Sequence, residues 1–93
     1  DGFPLVGGRL DYVEGHVVAA LVYKRRAHVI NLFVWPAPGR ADRAPALSTL
    51  QGYSLLQWMR AGLSFWAVSD LNPAELEEFE RLYRAAPETL PAQ

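Results

Sequence analysis

The chain has no cysteine among its 93 residues. Disulfides, thiolate catalysis and cysteine-ligated zinc are therefore excluded. An excess of charge is missing too: nine Lys and Arg stand against ten Asp and Glu, for a formal net charge of −1. That balance gives neither a polybasic face for nucleic acid nor an acidic tail. No apolar run approaches the roughly 20 residues that span a bilayer, and no signal peptide is visible. An initiating Met is also absent, so the sequence reads as a fragment, and any membrane segment is expected in the missing part of a parent chain.

Motifs that carry chemistry are equally scarce. His16 and His28 each flank a turn, and no His-x₃-His, His-Glu-x-x-His or carboxylate cluster accompanies them, so neither metal nor cofactor is expected. A triad could be assembled from Ser69, Asp70 and either histidine. Ser69 lacks a Gly-x-Ser-x-Gly elbow, however, and Ser69-Asp70 is better read as a strand end running into a helix cap. Gly7-Gly8 precedes a strand and lacks a following Lys-Ser/Thr, so it is no phosphate loop. Lys24-Arg25-Arg26, with Tyr23 beside it, reads as a solvated basic turn. The acids Glu75, Glu77, Glu78 and Glu80 read as the wet face of a helix and offer no proton-transfer pair. No enzyme is legible.

What the chain does have is apolar strand. Hydrophobic residues make up 51% of it and include three Trp, which excludes intrinsic disorder. Its length suits one domain, which buries roughly 60–65% of its unfolded surface. Arg9–Val13, a reversal at Glu14-Gly15, and His16–Tyr23 have the form of a hairpin. After Lys24 to Ala27 comes His28–Trp35, which Pro36 ends. Both longer strands are apolar on both faces: Val17, Ala19 and Leu21 oppose Val18, Ala20 and Val22, while Val29, Phe33 and Trp35 oppose Ile30, Leu32 and Val34. Residues 37–50 have no period and read as one long loop. Tyr53–Arg60, a reversal at Ala61-Gly62, and Leu63–Ser69 form a second hairpin, with Ser64, Trp66 and Val68 on one face and Leu63, Phe65 and Ala67 on the other.

One helix follows. Asn72 suits the N-cap, Pro73 the first helical position, and Leu71 with Leu76 a hydrophobic staple. Leu76, Phe79, Leu82, Tyr83 and Ala86 make an apolar stripe, Glu77/Arg81 and Glu80/Arg84 are i,i+4 pairs, and Pro87 stops the run. The expected fold is α+β, a single domain over 5–86. It comprises an antiparallel sheet of about five strands (β-β-β-loop-β-β) and one C-terminal helix on one face. Residues 1–4 and 87–93 are expected to be flexible ends. One helix cannot roof both faces of such a sheet, so a bare face is expected to seek a partner.

Two stretches resemble a known family. Gly2-Phe-Pro-Leu-Val-Gly-Gly-Arg-Leu10 before a hairpin is one; Gly52-Tyr-Ser-Leu-Leu-Gln-Trp58 with Gly62-Leu-Ser-Phe-Trp-Ala-Val-Ser-Asp-Leu-Asn-Pro-Ala-Glu-Leu76 is the other. Together they look like the extracytoplasmic C-terminal part of bacterial transmembrane anti-sigma factors, over about Gly2 to Tyr83. The resemblance implies a periplasmic sensing and interaction domain of an inner-membrane protein that regulates an extracytoplasmic-function sigma factor. The family's cytoplasmic zinc motif and membrane helix have no counterpart here, so sigma binding is not expected in these residues. Partners implied are a protein or a second copy on the uncovered face, or a preceding segment of the parent chain; contact with a membrane would come only through that parent. A different class of function is a small-ligand module with an aromatic pocket between sheet and helix, lined by Trp58, Trp66, Phe79 and Tyr83. The plainer view of these four is core, because a core this small needs aromatic bulk.

Overall fold

The computed structural model describes residues 2–85. The strands are β1 (Leu5–Val13), β2 (His16–Arg25), β3 (His28–Pro36), β4 (Arg43–Leu50), β5 (Tyr53–Arg60) and β6 (Leu63–Ser69), followed by one helix, α1 (Pro73–Ala85). They form a single sheet in the order β1-β2-β3-β6-β5-β4, and all neighbours are antiparallel. Two three-stranded meanders thus meet at the β3–β6 seam. The expected class and the helix on one face are both present, and the sheet has a sixth strand.

That strand is the main correction. The stretch 37–50 is not a long loop: Arg43–Leu50 pairs with β5 through Ala46↔Gln57 to Leu50↔Tyr53. Every residue of β4 is exposed, so no burial period marks it in the sequence, and Pro45 argues against a strand. What marks it as a strand is its backbone pairing with β5. β1 also begins earlier than expected, at Leu5. Nor is the incoming segment loose: Lys24 N–H donates to the Pro4 carbonyl at 3.0 Å. The Arg25 guanidinium sits 4.4 Å from the Phe3 ring centre. Ala86 and the tail 87–93, including the Pro87 stop, lie outside the described residues.

Four two-residue reversals hold the hairpins. Glu14-Gly15, Gln51-Gly52 and Ala61-Gly62 have positive φ at both positions, which turns the chain with the right-handed twist of the strands. The second position is Gly each time, and the first is an ordinary L-residue under mild strain. At Arg26-Ala27 only Arg26 is positive.

The core lies between α1 and one sheet face. Leu21, Tyr23, Ile30, Leu32, Val34, Leu56, Trp58, Phe65 and Ala67 meet Leu71, Leu76, Phe79 and Tyr83. The cap forms as its residues demand: Glu75 N–H donates to Asn72 Oδ1 at 2.9 Å, and Leu71 and Leu76 are both buried. The buried helix stripe is Leu76, Phe79, Glu80 and Tyr83. Leu82, expected in it, is exposed, and Glu80 is not on a wet face but 3% exposed. Arg84 explains the exchange, because it donates Nε and Nη2 to Glu80 at 2.9 and 3.2 Å and so satisfies the buried carboxylate.

The open sheet face as a candidate functional site

Alternation along the strands sends a second set of side chains to the face that α1 does not cover. One cross-strand row runs Ala20, Phe33, Trp66, Gln57 and Ala46. The next runs Val22, Asn31, Val68, Leu55 and Ser48. A third joins Trp35, Ser64 and Met59. Trp35 and Trp66 lie diagonally across two strands with ring centres 5.7 Å apart, and Trp66 is 38% exposed. Among the described residues α1 is the only element outside the sheet, and it sits on the other side. This face therefore keeps a half-exposed apolar band across its middle, where Asn31, Gln57 and small hydroxyls wet it, flanked by Arg9 and Asp11 on β1 and by Arg43 on β4.

At one end the band opens into a cleft of about 370 Å³ bordered by Trp35, Arg40, Arg43, Gln57, Met59, Ser64 and Trp66. Its outer wall is the 37–42 connection, which is tied down. Ala37 N–H donates to the Gly62 carbonyl at 2.8 Å, and Ala61 N–H donates to Asp42 Oδ1 at 3.0 Å. Sequence reasoning missed this cleft. Arg40 and Arg43 looked like loop residues, and only the β4–β5 pairing brings them beside the two Trp.

The proposed aromatic pocket is split by the structure. Trp58, Phe79 and Tyr83 are buried together, with Trp58 stacked on Phe65 at 5.0 Å. Tyr83 closes on Trp58 at 6.3 Å and on Phe79 at 6.0 Å. Trp66 belongs to the opposite face. Parity decides this, since Phe65 and Trp66 are neighbours and must point apart. The space between sheet and helix is filled by rings.

Two triad members do meet: His28 Nδ1 lies 2.9 Å from Asp70 Oδ1. Ser69 does not join them. Its hydroxyl donates to the Val29 carbonyl at 2.8 Å and accepts from Leu71 N–H at 3.1 Å, in a site 1% exposed. It is a structural clip between β3 and the helix cap. The basic turn is exposed at Lys24 and Arg26, as expected, and also ties down the helix. Arg26 Nη2 donates to both oxygens of Glu75 at 3.1 and 2.8 Å, and Arg25 lies 3.5 Å from Glu75 and 3.6 Å from Glu78. The Arg26 hydrogen bond, helped by the charges of Arg26 and Arg25, holds the Glu75 carboxyl below its ordinary range. No group of three or more His, Cys, Asp or Glu is placed to hold a metal among the described residues.

No protein family, curated protein or solved structure matches this chain. Among the described residues no helix is long and apolar enough to cross a membrane.

Proposed function

We propose that this chain is a non-enzymatic sensing and interaction domain, held on the periplasmic side of the inner membrane as part of an anti-sigma factor that regulates an extracytoplasmic-function sigma factor. The open apolar face carries this reading. Phe33, Trp35, Leu55, Trp66 and Val68 present ring and aliphatic surface on a rigid sheet, while Ser69, Glu75 and Glu80 are engaged in holding the fold. The order of residues in Gly2–Leu10, Gly52–Trp58 and Gly62–Leu76 supports the family assignment.

Physically, such a face works by being covered and uncovered. Burying a half-exposed Trp and its neighbours in a partner removes apolar area from water at about 25 cal/mol per Å². A signal that competes for the face changes which segment is docked. The test uses the intact membrane-anchored protein and a reporter for the sigma-dependent promoter. Phe33→Asp or Trp66→Asp is expected to change reporter output, with Glu77→Gln as a control that does not. Unchanged output from a correctly folded variant overturns the reading.

A second reading, the small-ligand module, draws on the cleft beside Trp35 and Trp66. Two guanidiniums and two indoles suit a flat organic anion. Naphthalene-2-carboxylate is expected to shift the indole N–H signals of Trp35 and Trp66 and the guanidinium signals of Arg40 and Arg43, which border the cleft. Equal binding of the neutral carboxamide removes this reading.

A further inference from the structure

The two edges of the sheet are not alike. β4 is blunted by Pro45, which offers no N–H, and by an irregularity between Arg43 and Ala46. β1 carries neither Pro nor Lys, and from Gly7 to Val13 it pairs regularly with β2. Its free side is nevertheless greasy: Leu10 is 70% and Tyr12 77% exposed. We infer that β1 is a homodimer edge, on which two copies of this chain pair β1 with β1 in antiparallel fashion about a two-fold axis at Leu10.

Hydrogen-bond parity and charge select the register. Val13 and His16 flank a two-residue turn and exchange both backbone bonds, so by alternation Asp11 and Arg9 also bond inward. Tyr12, Leu10 and Gly8 then aim N–H and C=O outward. Even residues must meet even residues across the dyad. Centred on Leu10, the pairing sets Arg9 against Asp11 of the second copy at both ends. Centred one residue either way, it sets Arg9 against Arg9 or Asp11 against Asp11. Of these three, only the Leu10 register is free of like-charge pairs, and it alone sets Arg9 against Asp11. Arg9 and Asp11 already share one face, 2.9 Å apart, so the dimer joins two such pairs into a four-charge ring.

The opposite face agrees. In the same register Tyr12 falls across from Gly8 of the second copy. A Cβ at Gly8 would meet Leu21 Cδ2 at 3.1 Å, so the floor there is bare backbone and leucine, open to a ring. Leu10 meets Leu10. The exposed apolar residues of β1 thus gain partners, and both helices lie on one side of a continuous sheet. The dimer uses the backbone edge of β1 and leaves the band around Trp35 and Trp66 free, so a monomeric chain would remove the dimer and leave that band available to its partner.

Sedimentation velocity of the 93-residue chain from micromolar to millimolar concentration tests this. A concentration-dependent dimer is expected. Arg9→Asp or Asp11→Arg alone should weaken it about tenfold or more, and the two together should restore it. Leu10→Cys, at an exposed site in a chain without other cysteines, should give a covalent dimer on oxidation or with a short bis-maleimide, whereas Ser48→Cys on β4 should not. A chain monomeric throughout, a dimer indifferent to the single charge changes, or equal cross-linking at both cysteines overturns the inference.

Discussion

Single side chains decide several matters that composition leaves open. Ser69, Glu80 and Tyr23 are polar groups placed in or against the core, and each has a physical consequence. Burial pushes the Tyr23 phenol up from 10.0 to about 12, with Tyr83 adding a smaller push the same way. A raised value means that the folded chain favours the protonated phenol. That contribution to stability is complete below pH 10 and is lost as pH rises towards about 12. Urea denaturation across this window is expected to show a steeper alkaline loss for the native chain than for Tyr23→Phe. The reversals offer a gain instead. Ala61 adopts φ 54 in its turn, a conformation that Asn tolerates better. Ala61→Asn should raise stability by a few tenths to about 1 kcal/mol, read as a higher urea midpoint at unchanged slope.

For whole elements, α1 is fixed at both sides of its first turn. Asn72 caps it from within, and Arg25 and Arg26 of the β2–β3 reversal grip Glu75 from outside. The carboxyl of Glu75 is held below its ordinary value of 4.5. A lowered value contributes stability above the unfolded range, and this is lost as pH falls through the folded value. Urea denaturation followed by the helical signal is expected to find Glu75→Gln less stable than the native chain at neutral pH, with the two converging as pH falls below about 4.5. Among strands, β4 shows how an element escapes a reader of sequence. Strand propensity is a statement about side-chain burial, and β4 buries none; its register follows from the Gln51-Gly52 turn and from the β5 backbone.

Across the whole molecule, the two sheet faces differ in what they contribute. One carries the core, and removing Phe79, which is 2% exposed, takes out its central ring. Phe79→Ala should cost about 3–5 kcal/mol, a large part of the stability of a domain this size. Trp66→Ser, on the open face, should cost far less, about 1 kcal/mol or under, because the residue already faces water there. Calorimetry of both variants checks the contrast, and an equal loss would mean that the open face is part of the core.

Much of this was legible in the residues themselves. Periodicity of two and the glycine reversals dictate the hairpins. Asn72, Pro73 and the Leu71/Leu76 pair dictate where the helix starts, since capping and staple contacts are local. The neighbour parity of Phe65 and Trp66, which sends the two rings to opposite faces, was equally plain. Which strands become neighbours, and which face α1 covers, is settled in three dimensions. Those choices depend on contacts between residues such as Arg26 and Glu75 or Ser69 and Val29, far apart in the chain. No local pattern encodes such contacts, and the cleft beside Trp35 and the open edge at β1 both arise from them.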